Sequence, residues 1–204
     1  MVAGSVEGMK SVPRWGLVSA ATAPVVLIGG WTVAAGRRAG GFDSVTGTIS
    51  ALAALGATDR GLMTSALVVL GACHVTTAAA LRPAGRTGRA ILAFGGVATI
   101  GVAAFPLPEV GSSTAHTVFA GLAFGALAVW PVGAAVRGRG VPWALRWRTS
   151  AVASAGLLGL VGWFVVAQQQ GVAVGLSERA AAGAQALWPL AVVLTLTLRP
   201  DHPT

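Results

Sequence analysis

Charge is scarce in this sequence. Asp, Glu, Lys and Arg make up 10% of its 204 residues, against roughly 25% in an average soluble domain. Hydrophobic residues make up 54%, and the mean hydropathy is +0.75. A soluble fold of this size has no means of keeping so much apolar surface dry, so the soluble globular classes are excluded. Tyrosine is missing altogether. Cysteine occurs once, as Cys73 inside an apolar run. That excludes an intrachain disulfide and leaves a small buried hydrophobe. Neither HExxH nor CxxC is present. Zinc needs three or four ligands around one point, and His74 and His116 are expected at different depths. No metal and no cofactor are therefore expected.

What is present is glycine, 29 residues of it, together with alanine in long apolar runs. Small residues of this kind let membrane helices approach closely. A span needs about 20 mostly apolar residues, and six runs qualify: residues 15–35, 61–81, 90–105, 116–136, 149–167 and 179–198. Pro24, Pro131 and Pro189 fall inside runs, where kinks are expected. A polar break, Gln168 to Gln170, separates the last two. The expected fold is all-α: a polytopic membrane protein with six transmembrane helices and a short amphipathic outer helix after the first. Residues 1–14 and 199–204 read as flanking segments in the cytoplasm. No cleavable signal is expected, because the first apolar run is too long for a signal core. The two halves show no convincing internal repeat.

The charges orient the bundle. With the N-terminus inside, ten basic residues fall on inner segments: Lys10, Arg14, the arginines of loops 82–89 and 137–148, and Arg199. Only Glu7 and Asp201 accompany them. Outside, Arg37, Arg38, Arg60 and Arg179 face Asp43, Asp59, Glu109 and Glu178. The whole net charge of +8 thus lies on one side. Basic residues in short loops mark the cytoplasmic side, so both termini are expected in the cytoplasm of a cell with this protein in its plasma membrane. The same distribution removes nucleic acid as a partner, since a membrane surface accounts for short, scattered basic loops. Trp143 and Trp147 lie four apart among Arg139, Arg146 and Arg148, the pattern of a segment at headgroup depth.

Residues 41–56, GFDSVTGTISALAALG, are the stretch around which the chain is organised. Read as a helix, they put Asp43, Thr46 and Ser50 on one stripe and Val45, Ile49, Leu52 and Gly56 on another. Asp43 or Ser44 suits the N-cap, and Gly56 suits the position past the C-terminus.

Few residues are able to carry chemistry. His74 is expected about 20 Å below the outer end of its span at 1.5 Å per residue, in the inner half. There it is either a functional intramembrane group or a neutral ring bonded to a neighbouring hydroxyl or carbonyl. His116 opens the fourth span. Glu178 and Arg179 open the sixth, where an acid in the first turn meets the positive end of the helix dipole. The sharper expectation is one outward-opening pocket lined by Asp43, Ser50, His116, Glu178 and Arg179. In it Asp43, His116 and Glu178 act as acid or base. Ser50, Thr46, Arg179 and, lower down, His74 contact substrate, with Arg179 suited to a lipid phosphate.

The segments FDSVTGTISALAALG, RGLMTSALVVLG, AAFPLPEVGSSTAHTVFAGLAF and GLSERAAAGAQALWPL resemble the bacterial membrane family filed as domain of unknown function 998. The resemblance runs from about residue 15 to 198. It rests on Ile49-Ser50 with Leu52 and Gly56, on Phe105-Pro106 with His116, and on Gly175-Leu176 with Glu178-Arg179. It implies six spans and no established activity. It also implies that the recognisable residues lie in the outer cluster, whereas His74 is outside the pattern.

Three functional readings follow. The first is a protein that binds a lipid, an isoprenoid or a membrane partner at the outer pocket. The second is a membrane-embedded enzyme acting on a lipid or isoprenoid by acid–base chemistry. The third is a small transporter, for which midplane polar groups are few. Membrane lipids are the expected partners, and the small-residue faces also allow a homo-oligomer.

Overall fold

The computed structural model describes residues 12–38 and 40–198. Lys10, Glu7, Arg199 and Asp201, which entered the charge count, lie outside the described residues, as do most of the two flanking segments. Six helices are long and apolar enough to cross a membrane: α1 (Arg14–Gly36), α3 (Arg60–Ala80), α4 (Arg86–Ala104), α5 (Thr114–Ala134), α6 (Trp147–Gln170) and α7 (Val174–Thr197). A short α2 (Ile49–Leu52) lies between the first two. No strand occurs among the described residues.

The six spans pack as a closed ring in chain order. Each long helix lies against its neighbours in the sequence, and α7 closes the ring on α1. Small residues permit the close approaches. At the α3–α4 crossing, a Cβ on either Gly71 or Gly96 would run into the backbone of the other helix. Dispersion and close packing drive association between spans, where no water remains to be expelled. The apolar side chains left outside, such as Val152, Val165 and Val166 on α6, are exposed, as befits a surface that meets lipid.

Several boundaries differ from those read in the sequence. Residues 168–170 do not break the chain. They continue α6, which ends at Gly171 in the left-handed conformation (φ 69°), a stop that glycine makes at little steric cost. The sixth span starts at Val174, so Glu178 stands beyond its first turn and the helix dipole does not explain it. The outer helix is much shorter than expected and is capped by Thr48, whose hydroxyl accepts from the Ala51 amide at 2.9 Å. Asp43 caps no helix. Its carboxylate accepts from the Val45 amide at 2.9 Å and the Thr46 hydroxyl at 2.7 Å, while its own carbonyl accepts from the Gly47 amide at 2.7 Å. Short polar side chains that bond nearby backbone compete with helix, and Gly47 disfavours helix further. The chain therefore turns first and becomes helical only at Ile49.

The segment from Gly40 to Asp59 lies across one end of the ring, called here the capped end. It is tied down on two sides: the Leu55 amide donates to the Leu107 carbonyl at 2.9 Å, and the Leu176 amide donates to the Val45 carbonyl at 3.0 Å. At the other end the 137–148 loop contains a short 3-10 turn, Trp143–Leu145, that buries Ala144 and Leu145. Trp143 and Trp147 remain about half exposed there, and Trp143 packs edge-on against Trp188 at 6.3 Å.

Candidate functional site

Three side chains from three parts of the sequence meet at the capped end. α4 ends at Phe105, and Pro106 prevents its continuation, so the Phe105 carbonyl is left without a helical donor. His116, in the first turn of α5, supplies one: its Nδ1 lies 3.0 Å from that carbonyl. The Ser113 hydroxyl caps α5 by accepting from the His116 amide at 3.3 Å. The other ring nitrogen, Nε2, lies 3.1 Å from Oγ of Ser50. The same hydroxyl lies 3.1 Å from Oε1 of Glu178. The second carboxyl oxygen of Glu178 accepts from the amide of Ile49, the first residue of α2. His116 and Glu178 are both buried, and Ser50 is half-buried.

This chain of contacts begins at a carbonyl that only accepts and ends at an amide that only donates. Its protons are therefore constrained. Nδ1 of His116 carries a proton for the Phe105 carbonyl. Two arrangements satisfy every remaining contact. In one, Glu178 is a carboxylate that accepts from Ser50, and His116 is an imidazolium that donates to Ser50. In the other, Glu178 is a carboxylic acid that donates to Ser50, and Ser50 donates to a neutral His116. They differ by the position of one proton passed through the serine hydroxyl. The neutral form avoids the desolvation cost of two charges in an apolar setting.

Arg179, the neighbour of Glu178, turns to the other face of the same loop. Its Nη1 donates to the carbonyls of Ser44 (3.0 Å), Gly47 (2.7 Å) and Gly175 (2.9 Å). Its guanidinium sits 5.9 Å from the Trp31 ring and 5.7 Å from the Phe42 ring, within reach of cation–π attraction. The Glu178-Arg179 pair thus reads both sides of the loop backbone, an amide by the acid and carbonyls by the base. Gly175 makes this possible, because a Cβ there would collide with the Gly47 carbonyl.

Below Ser50 and Glu178 the ring encloses a cavity of about 60 Å³. Its walls are mainly apolar, with Leu27, Leu67, Leu70, Val102, Phe124 and Leu127 among them. Its other polar linings are Thr99 and Gln185. Both are already bonded to backbone, Thr99 to the Gly95 carbonyl at 2.9 Å and Gln185 to the Phe124 carbonyl at 2.8 Å. Gln185 lies two helical turns past Glu178, about 10 Å deeper at 1.5 Å per residue.

Of the residues named from sequence, Ser50, His116 and Glu178 come together. Arg179 adjoins them but faces the loop, with its bonded nitrogen directed at carbonyls. Asp43 and Thr46 do not line the cavity. They are exposed on the surface and bonded to each other. The Thr46 hydroxyl, then the Val45 amide, hold the Asp43 carboxyl below its ordinary pKa, and Arg179 adds to the effect. His74 is buried well below the cluster, with Nδ1 2.8 Å from the Leu70 carbonyl one turn earlier. Asp59 pairs with Arg37 at 3.3 Å, an exposed contact of small energetic value. Among the described residues no group of three or more His, Cys, Asp or Glu side chains is placed to hold a metal.

Sequence reasoning missed the Ile49 amide and the Phe105 carbonyl, which are backbone groups. It also missed Gln185 and Thr99, although a glutamine inside an apolar run was a visible signal. No curated protein and no solved structure matches the chain. The motifs that carried the resemblance, Ile49-Ser50, Phe105-Pro106 with His116, and Glu178-Arg179, are the ones that build this cluster. The sequence model described as protein of unknown function (DUF998) matches residues 20–195, and the chain belongs to that family.

Proposed function

We propose that this membrane protein binds the apolar chain of a lipid or isoprenoid in its ring, with the polar end of the ligand at Ser50. One observation carries the reading: an apolar cavity of about 60 Å³ lies directly beneath Ser50 and Glu178. Ligand sites are mostly apolar with a few placed polar groups, and this one has its accessible hydroxyl at the capped end. The volume suits a segment of hydrocarbon chain and not a whole lipid. The count of ten basic residues against four supports a plasma-membrane protein with both termini in the cytoplasm and the capped end outside.

The test is native mass spectrometry of the protein extracted gently from its membrane, wild type beside Ala123→Leu. Ala123 lines the cavity, and the larger side chain fills it. A discrete bound lipid or isoprenoid that disappears in a folded Ala123→Leu variant is the expected result. A wild-type protein without ligand, or one whose ligand ignores the substitution, removes the reading. A second reading, acid–base chemistry on the same class of molecule, is favoured by one contact: the Ser50 hydroxyl is held at 3.1 Å from a histidine nitrogen.

A further inference from the structure

We propose that Ser50 is a nucleophile, with His116 as its base, and that the substrate is an ester or thioester of a long apolar acid. The proposal rests on the chain-binding reading of the cavity and names the chemistry at its polar end. A serine hydroxyl is a weak nucleophile unless a base stands within hydrogen-bond reach and that base is itself held in place. Both conditions are met. Nε2 of His116 is 3.1 Å from the Ser50 hydroxyl oxygen. The ring cannot turn freely, because Nδ1 is held by the Phe105 carbonyl at 3.0 Å. That carbonyl holds a proton on Nδ1, so in the neutral arrangement the Nε2 lone pair is directed at Ser50. A carboxylate does this in the familiar serine triads; here a backbone acceptor does it, at a helix end that Pro106 terminates.

Ser50 and Glu178 both line the cavity, whereas His116 does not and is buried. Of the two, Ser50 is the one in contact with a base. An acyl chain lying along the apolar walls brings its carbonyl carbon to the serine and leaves its alcohol or thiol portion toward the loop. The hydroxyl oxygen attacks that carbon as its proton passes to Nε2. The carbon–oxygen or carbon–sulfur bond then breaks, and the departing group takes the proton from Nε2. The acyl group remains on Ser50 as an ester. Water attacks that ester, gives a proton to Nε2, and the serine oxygen recovers it as the free acid leaves. The sum is one ester or thioester and one water converted to an acid and an alcohol or thiol, with no oxidation or reduction. Glu178 is a positioning residue here. Anchored on the Ile49 amide, it is a second hydrogen-bond partner of the Ser50 hydroxyl, at 3.1 Å.

The test uses a fluorophosphonate bearing a long alkyl chain, applied to the full chain in detergent, with intact mass and peptide mapping as the readout. The expected result is one adduct on Ser50, absent in Ser50→Ala and formed at least about 100-fold more slowly in His116→Gln, the low side of what a general base contributes. The wild-type rate should fall as the pH is lowered and His116 takes up a proton. Thermal unfolding of each variant checks that it is folded. Absence of a wild-type adduct, an adduct that survives Ser50→Ala, or an unchanged rate in folded His116→Gln overturns the proposal. A protein that retains bound lipid but gives no adduct loses the nucleophile and keeps the binding reading. A protein that is labelled on Ser50 but never holds a lipid loses the cavity reading instead.

Discussion

Ser50 and Glu178 share a hydrogen bond of 3.1 Å across 128 residues of sequence, and the same carboxyl holds the Ile49 amide. The neutral arrangement of this chain has an acid that donates to Ser50 and accepts from Ile49. A glutamine does both, with its amide nitrogen toward Ser50 and its oxygen toward Ile49. Glu178→Gln is therefore expected to unfold within about 1 kcal/mol of wild type, and Glu178→Ala to lose about 1–3 kcal/mol, because Ile49 keeps a donor with no acceptor. Denaturation in mild detergent, read by a fluorescence or scattering probe, measures the difference. Equal losses for both variants would show that the carboxylate form is the one that matters.

Arg179 makes its three carbonyl contacts through a single nitrogen. Lysine keeps the charge but not the planar group that lies within reach of both Trp31 and Phe42. Arg179→Lys is expected to cost about 1–2 kcal/mol and Arg179→Gln about 1–3 kcal/mol, as carbonyls lose charged donors. Limited proteolysis of the 40–59 segment reads the effect locally, and both variants should be cut faster than wild type.

Gly175 lies against the Gly47 carbonyl, where a Cβ has no room. Gly175→Ala must push the loop off α7, breaking the Leu176–Val45 backbone bond or displacing Arg179. The expected loss is about 1–3 kcal/mol, the usual cost of overpacking. Gly29, by contrast, has open space around its Cβ position. Gly29→Ala should leave the unfolding midpoint unchanged or raise it.

Asp43 gives the pH prediction. Its carboxyl is held below the ordinary value of 3.8, chiefly by the Thr46 hydroxyl. A depressed carboxyl stabilises the folded turn above the unfolded pKa and loses that contribution as pH falls through the folded one. The 43–47 turn should therefore hold through mild acid and loosen only below 3.8. Titration of labelled aspartate by NMR checks this directly. In Thr46→Ala the transition should move up toward the ordinary value.

The sequence made the spans legible because a membrane helix is a long apolar run, a signal carried by some 20 residues at once. It also made Ser50, His116 and Glu178 legible as a group, since each stands near the same end of a different span. Residues 41–48 were misread for a physical reason. Helical periodicity fits them, but the backbone closes only one turn, from the Gly47 amide to the Asp43 carbonyl, with the Asp43 carboxylate bonded to Val45 and Thr46, and it does not continue as a helix. Glu178 was assigned to the wrong cause, because the start of α7 is set by the turn after Gly171 and not by the first charged residue. The partners that define the cluster, the Ile49 amide and the Phe105 carbonyl, are invisible in side-chain patterns, because every residue but proline carries both groups.

The ring of helices closes only when α7 meets α1. Ser50 follows the first span and Glu178 belongs to the last, so the cluster is complete only with the last span. A chain with five spans inserted has the serine and the histidine but neither the carboxyl nor the arginine that fasten the loop over them. Completion of the protein is thereby registered at one place. The loop docks when its amide finds an acid and its carbonyls find a guanidinium, and both arrive on the same final helix. Until α7 is in place, the Ser50 hydroxyl has no carboxyl partner and the loop has no guanidinium to hold its carbonyls.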